Sequence, residues 1–479
     1  MLFNSYQFFI FFPVVTLLYF LLPHRFRWLH LLIASCIFYM AFIPIYIFIL
    51  FFTIIIDYIA GIIIERESGR KRKLFLIASI CANVGVLAIF KYFNFFAVNV
   101  NAIISALYIT SHAVPLLNII LPIGLSFHTF QAMSYTIEVY RGHQKAERHF
   151  GIYSLYVMFY PQLVAGPIER PQNLLHQFKE KHDFSSQNLL DGLRLMLWGF
   201  LKKLVIADRL AIYVNVVYHS PKDYHYLNLI IATLFFTIQI YCDFSGYSDI
   251  AIGAAKIMGF NLMTNFNHPY FSKNIREFWE RWHISLSTWF RDYLYISIGG
   301  NRVSMGRAYL NIAVVFLVSG LWHGANWTFI MWGAMHTVFI LTYMLIKQFT
   351  KFKLPNSFFY NLLSGVLTFL LVAFAWIFFR ANNIHDAFLI INHIATFYSK
   401  VPYEMTLPDL ITKVEFGRLA ILLSILMPVF MFISESQLSI NLTNLNSKPI
   451  KDIAFCIFIL VIIVLFGIFQ NSSFIYFQF

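Results

Sequence analysis

Long apolar runs separated by short polar connectors dominate the chain. Runs near 5–22, 28–43, 45–64 and 74–92 each approach the ~20 apolar residues that a helix needs to cross a bilayer. Others fall near 226–242, 246–260, 358–380, 384–398, 414–434 and 452–470. A period of two is absent over long ranges, which argues against a β-barrel. The pattern predicts an all-α integral membrane protein with about eleven to thirteen membrane segments. Neither a soluble domain nor an internal repeat is visible. The expected organisation is one multi-pass membrane domain over 1–479, with a core at 121–345 between helices in 1–120 and 358–479.

Four stretches break the apolar pattern. LPIGLSFHTFQAMSYTIEVYRGHQ, from Leu121, is unusually polar for a bilayer helix. YPQLVAGPIERP (160–171) carries prolines and Gly166 that stop a regular helix. Irregular backbone at membrane depth needs protein or a water-filled cavity around it, so a re-entrant or cavity-lining segment is expected. Residues 189–218 mix apolar stripes with Arg194, Lys202, Lys203, Asp208 and Arg209, a pattern that suits the membrane interface. YCDFSGYSD places Asp243 and Asp249 between two predicted spans. A short polar loop is expected at 398–413.

The fifth polar stretch, Asn274 to Trp332, holds the most chemistry. At about 100° per residue, Arg276–Leu294 forms an amphipathic helix. Phe278, Trp279, Trp282, Leu286, Trp289, Phe290 and Tyr293 fall in one arc. Arg276, Glu280, His283, Ser287 and Arg291 fall in another. Glu280 stands three residues before His283 and can hydrogen-bond it on a helix. GGNR (299–302) reads as a tight turn that leaves Arg302 near the interface.

SGLWHGANWTFIMWG (319–333) then lies inside an apolar run from Ala313 to Tyr343, so His323 is expected within a span. Gly320 and Gly324 permit close helix approach. Ser319 and Asn326 can share the face of His323. A neutral imidazole there suits either a general base or a packing histidine bonded to a carbonyl, and the residues alone leave both open. On a continuous helix His336 would sit about 220° round from His323 and face elsewhere.

Composition agrees with the pattern. Of 479 residues, 59% are hydrophobic and 12% charged, against about 25% charged in soluble domains. The net charge of +13 comes from short basic runs between spans, which set orientation. RFR (25–27) and ERESGRKRK (65–73) are two spans apart and agree on a cytosolic side. No basic face for nucleic acid appears. The four cysteines are scattered and form no metal spacing or disulfide framework. No bound cofactor or metal is expected. HExxH, GxSxG and a Walker A loop are absent. The start lacks a basic n-region and a cleavage site and predicts a retained first membrane segment.

REFWERWHISLSTWFRDYLYISIGGNR followed by SGLWHGANWTFIMWG resembles the membrane-bound O-acyltransferase (MBOAT) family. More narrowly it resembles the bacterial branch of alginate and peptidoglycan O-acetyltransferases. LPIGLSFHTFQAMSYTIEVYRG, FYPQLVAGPIER and CDFSGYSDIAIGAAKIMGF share that likeness. The resemblance implies a ring of tilted helices around a transmembrane funnel or tunnel. It puts the family's near-invariant histidine on His323 and its second histidine on His283. It implies acetyl-CoA as a cytosolic donor, and transfer of acetyl toward a cell-surface polysaccharide through a separate periplasmic or extracellular transferase. It places the protein in a bacterial cytoplasmic membrane. On this reading His323 is the base and His283 positions a substrate. Asn326 or a backbone N–H stabilises the oxyanion, Glu280 orients His283, and Arg276, Arg291 and Arg302 meet the coenzyme's phosphates. Related D-alanine exporters of teichoic acid modification share RWH and WHG, so that activity stands as the alternative. A non-enzymatic transporter or flippase would use the same buried polar residues differently.

Overall fold

Every regular element among the described residues is a helix. Hydrocarbon leaves backbone polar groups no partner but the chain itself, and a helix satisfies them within one segment. The structure is a computed structural model that describes residues 1–107, 113–349, 357–397, 418–437, 449–469 and 474–475. Among these, seven helices are long and apolar enough to cross a membrane: Pro44–Arg66, Gly69–Ala106, Tyr226–Ile257, Met305–His323, Trp327–Phe349, Phe358–Arg380 and Leu419–Ser436. Tyr6–Leu21 and Ile453–Phe466 are shorter apolar helices. The chain is a multi-pass, all-α membrane protein. The span expected at 384–398 is a helix of 13 residues, Ile384–Thr396, too short to cross. The loop expected at 398–413 lies outside the described residues.

Two compact units share the chain. One comprises Met1–Leu193 and Ala251–Met263, the other Arg194–Ile250 and Thr264–Phe479.

In the first unit, the polar helix expected after Leu121 is Leu125–Arg141, and its polar groups point inward. Asp57 accepts hydrogen bonds from Ser79 Oγ at 2.6 Å and from Asn83 Nδ2 at 2.8 Å. Ser79 Oγ also meets Thr136 Oγ1 at 3.0 Å. His128 Nε2 lies 2.7 Å from Thr53 Oγ1. These bonds tie three helices together and give the polar residues a structural role. The segment 160–171 is irregular, as expected, and buried in protein. Gln131 and Gln162 both donate to the Tyr156 carbonyl, at 2.5 and 3.1 Å, and Tyr156 OH donates to the Glu169 carbonyl at 3.0 Å. Side chains thus replace the helical bonds that the prolines and glycine remove.

The second unit corrects two expectations. Residues 189–218 do not present their lysines to the interface: Lys202 and Lys203 are buried. They lie in a π-helical stretch, Leu201–Ala207. Asp243 and Asp249 do not separate two spans but lie within one helix of 32 residues, Tyr226–Ile257. Lys203 Nζ is 2.8 Å from both Asp208 Oδ1 and Asp243 Oδ1, and Lys202 pairs with Asp249. A buried charge is retained only when another charge and hydrogen bonds compensate it. The basic stretch and the acidic helix are therefore halves of one arrangement. The second oxygen of Asp243 accepts the Ile475 backbone N–H at 2.8 Å.

The apolar run from Ala313 to Tyr343 is a hairpin rather than one span. Met305–His323 and Trp327–Phe349 are joined by Gly324–Asn326. Two glycines set the close approach. A Cβ on Gly320 would stand 2.3 Å from the Phe329 carbonyl oxygen, and one on Gly333 would stand 2.3 Å from that of Phe316. Backbone cannot yield as a side chain can. Gly320→Ala is therefore expected to cost about 1–3 kcal/mol through overpacking, while Gly306→Ala, with nothing within 4 Å of the added carbon, should be neutral. Thermal midpoints of the two purified variants in detergent check this; equal midpoints would contradict it.

Candidate active site

The helix expected over 276–294 is broken at its histidine. Ile275–Arg281 ends at Trp282, His283 takes a left-handed backbone (φ 43°), and the chain resumes as Ile284–Trp289 and a π-helical stretch, Phe290–Tyr295. Left-handed backbone at a non-glycine residue is costly and persists where surroundings impose it. Here the Ile284 N–H donates to the Asn265 carbonyl at 2.9 Å, and the Ser287 N–H to the His283 carbonyl at 2.9 Å.

The break reverses the expected setting of His283. It is fully buried rather than on a wet face. Its partner is Asn265, Nδ1 to Oδ1 at 3.0 Å, and not Glu280. Glu280 instead pairs with Arg276 at 3.0 Å on the exposed surface. With no continuous helix, the three-residue spacing no longer carries Glu280 to the imidazole. Burial pushes the His283 pKa down from 6.5 to about 3, so the ring is neutral at ordinary pH.

His323 is the last residue of its helix, with Gly324 as the cap. It is buried, but at the closed end of the hairpin rather than midway along a span. Its ring lies 5.0 Å from Trp322, 5.1 Å from Trp332 and 5.3 Å from Phe379. On its other side Trp322 lies 6.3 Å from the ring of His283. His336 lies 4.9 Å from Trp332. The rings His283, Trp322, His323, Trp332 and His336 thus form a row in which histidine and tryptophan alternate. His336 joins the row, contrary to the expectation for a continuous helix, because the turn at Gly324–Asn326 resets the angular register.

The His336 imidazole is also placed by its neighbours. Trp279 Nε1–H donates to its Nδ1 at 3.3 Å, so the ring proton sits on Nε2. That N–H, with Trp332 Nε1–H and Trp376 Nε1–H, is buried and has no acceptor among the described residues. Trp332 and Trp376 stack at 5.7 Å. Sequence reading missed Trp376, Asn265 and the donor role of His336, since nothing in local spacing links them to the two histidines.

The other expected site residues lie apart. Asn326 caps the second arm of the hairpin: its Oδ1 accepts the Thr328 N–H at 3.0 Å and its Nδ2 donates to the Asn382 carbonyl at 3.3 Å. Its amide is occupied by backbone, which corrects the expectation that it shares a helical face with His323. Arg291 is exposed and pairs with Asp292 at 2.8 Å. Arg302 is exposed in the GGNR turn. There Gly299 and Gly300 take positive φ, and Asn311 holds the turn through the Gly300 carbonyl at 3.0 Å. Among the described residues, no group of three or more metal-ligating side chains occurs.

The row falls within residues 149–383, which match the model of the MBOAT, membrane-bound O-acyltransferase family. Over 392 residues the chain is 40% identical to the probable alginate O-acetylase AlgI of Pseudomonas aeruginosa, covering 81% of this chain and 73% of that one. The chain belongs to the membrane-bound O-acyltransferase family. It is also 35% identical over 423 residues to a peptidoglycan O-acetyltransferase of Helicobacter pylori, covering 81% and 78% of the two chains. A teichoic acid D-alanyltransferase of Bacillus subtilis is 29% identical over 286 residues, 56% of this chain and 71% of that one. The protein is an acyltransferase, which sets aside the transporter reading, and the row of rings is its candidate active site.

The buried histidine makes this acyltransferase sensitive to acid in a defined direction. Below pH 6.5 the unfolded chain protonates His283, while the folded chain does not until about pH 3. The stabilisation from this group is complete above 6.5 and is lost as pH falls below it. At pH 5.5 the loss is about 1.4 kcal/mol. The drop in thermal midpoint between pH 7.5 and 5.5 should accordingly be smaller in His283→Gln than in the wild type; an equal drop would refute the assignment.

Proposed function

We propose that this acyltransferase moves an acetyl group from acetyl-CoA, bound on the cytosolic side, across a bacterial cytoplasmic membrane for O-acetylation of a cell-surface polysaccharide. The observation that carries this reading is the position of His323, buried in the ring row at the closed end of the hairpin. The open end carries Arg302, Arg307 and Lys347, which supports a cytosolic assignment for that end. The arm Met305–His323, at 19 residues, is about 28 Å long. The donor's phosphates and its acetyl group therefore work at different depths. The route between them is the one that the family resemblance implies.

Arg276, Arg291 and Arg302 are the exposed guanidinium groups proposed for the phosphates. At the ring row, His323 takes the proton of the acceptor hydroxyl as its oxygen attacks the thioester carbonyl carbon. Negative charge gathers on the carbonyl oxygen. The N–H groups of Trp332, His336 and Trp376 are neutral donors in dry surroundings, which favours such charge. The tetrahedral intermediate collapses, the C–S bond breaks, and the imidazolium returns its proton to the thiolate sulfur. The products are an O-acetyl ester and coenzyme A. A periplasmic or extracellular transferase completes delivery to the polysaccharide. The names of the alginate and peptidoglycan relatives support the acetyl group as cargo.

A His323→Ala strain with wild-type amounts of the protein should lose about 10²–10⁴-fold in transfer rate. The readout is acetyl-ester content of the surface polysaccharide, together with transfer from labelled acetyl-CoA in membranes. Wild-type acetylation in that strain would overturn the catalytic assignment. Loss of D-alanyl esters with acetyl esters intact would favour the teichoic acid alternative.

A further inference from the structure

Asn265 lies in the loop before the broken helix, 18 residues from His283 in sequence, and is fully buried. Its Oδ1 meets three groups: His283 Nδ1 at 3.0 Å, the Ser285 N–H at 3.3 Å and Ser285 Oγ at 2.9 Å. Its Nδ2 donates to Ser248 Oγ at 3.1 Å. The Ser285 backbone N–H can only donate, so the carboxamide atom facing it is the oxygen. An amide oxygen can only accept, so His283 Nδ1 carries the hydrogen. A neutral imidazole has one N–H, which makes Nε2 the lone-pair nitrogen. The same loop backbone imposes the left-handed turn at His283, through the Asn265 carbonyl. One residue therefore fixes both the main chain and the tautomer.

We propose that Asn265 is a positioning residue: its carboxamide holds the Nδ1–H of His283 and so presents Nε2 as the acceptor for a hydroxyl hydrogen of the acetyl acceptor other than the one His323 removes. This rests on the acyl-transfer reading. The choice of an amide matters. His268 also has a left-handed backbone, but its Nδ1 faces the Glu435 carboxylate at 3.3 Å. A carboxylate favours the imidazolium, which has no lone pair to offer. An amide orients the ring without favouring its charge. The side chains described against His283 are Phe244, Phe266, Trp322, Asn265 and Ser285, none of them charged. The helix carrying Phe244 also bears Asp243, Asp249 and Tyr247. Lys203 and Lys202 engage the two aspartates. His323 stands beyond Trp322.

The test compares Asn265→Asp, Asn265→Ala and His283→Gln in the full-length protein in detergent. Asn265→Asp keeps an acceptor at Nδ1 but adds charge. The acid limb of its acetyl-transfer profile should move up by about one pH unit or more. Asn265→Ala should lower kcat at least about tenfold in the wild type and cause no further loss in the His283→Gln background. A readout independent of transfer is the nitrogen spectrum of ¹⁵N-histidine-labelled protein. The signals absent in His283→Gln identify His283, which should be protonated at Nδ1 in the wild type and change in Asn265→Ala. An Asn265→Asp profile that superimposes on the wild type, or a His283 protonated at Nε2, would overturn the proposal. If the spectrum shows the Nδ1 tautomer but the wild type transfers no acetyl, the acyl-transfer reading fails and the role of Asn265 in fixing the ring stands. If Asn265→Ala does not fold, the Asn265→Asp profile and the wild-type spectrum still decide.

Discussion

A polar group taken out of water must be met by the protein itself, and most of what is specific in this chain follows from that constraint. A buried donor or acceptor left unmet costs about 1–3 kcal/mol, and more when charged. Asp57 is met by Ser79 and Asn83, Lys203 by two aspartates, and His283 by an asparagine that also shapes its backbone. Most of these pairings join different helices or a helix and a loop. Apolar surface alone would let helices rotate or slide; these contacts fix which faces meet.

The hairpin shows how close packing and chemistry meet in one feature. Gly320 and Gly333 let two backbones touch, which brings Trp332 against His323 at the end of its arm and His336 against Phe316 further along it. Phe379 and Trp376, from Phe358–Arg380, close over the same rings. Aromatic residues dominate here because they exclude water while their edges still offer N–H groups. Neutral donors suit a reaction whose charge appears only in passage.

Apolar length made the helical class and the membrane setting legible in the sequence. It also announced the irregular segment at 160–171 and the turn at GGNR, where proline and glycine act locally. The motifs pointed to His283 and His323. What escaped was whatever depends on partners remote in sequence. The 100° rule carried one helix through His283, and nothing within that stretch reports that Asn265 would break it. The same rule carried one span through Gly324 and so turned His336 away from His323. Lys202 and Lys203 read as interfacial because two of the three carboxylates that meet them, Asp243 and Asp249, lie on a helix far along the chain. Periodicity describes one element at a time, whereas ion pairs and left-handed turns are properties of two.

The bond between Asp243 and the Ile475 N–H spans 232 residues. A ribosome adding about 5–20 residues per second needs roughly ten to fifty seconds to make that length. Throughout that interval the carboxylate and its lysine already exist without their last neighbour. The inner charge cluster of this protein is thus finished late, after the helices around it are made. The ionic centre closes only after the segment that carries Ile475 has been made.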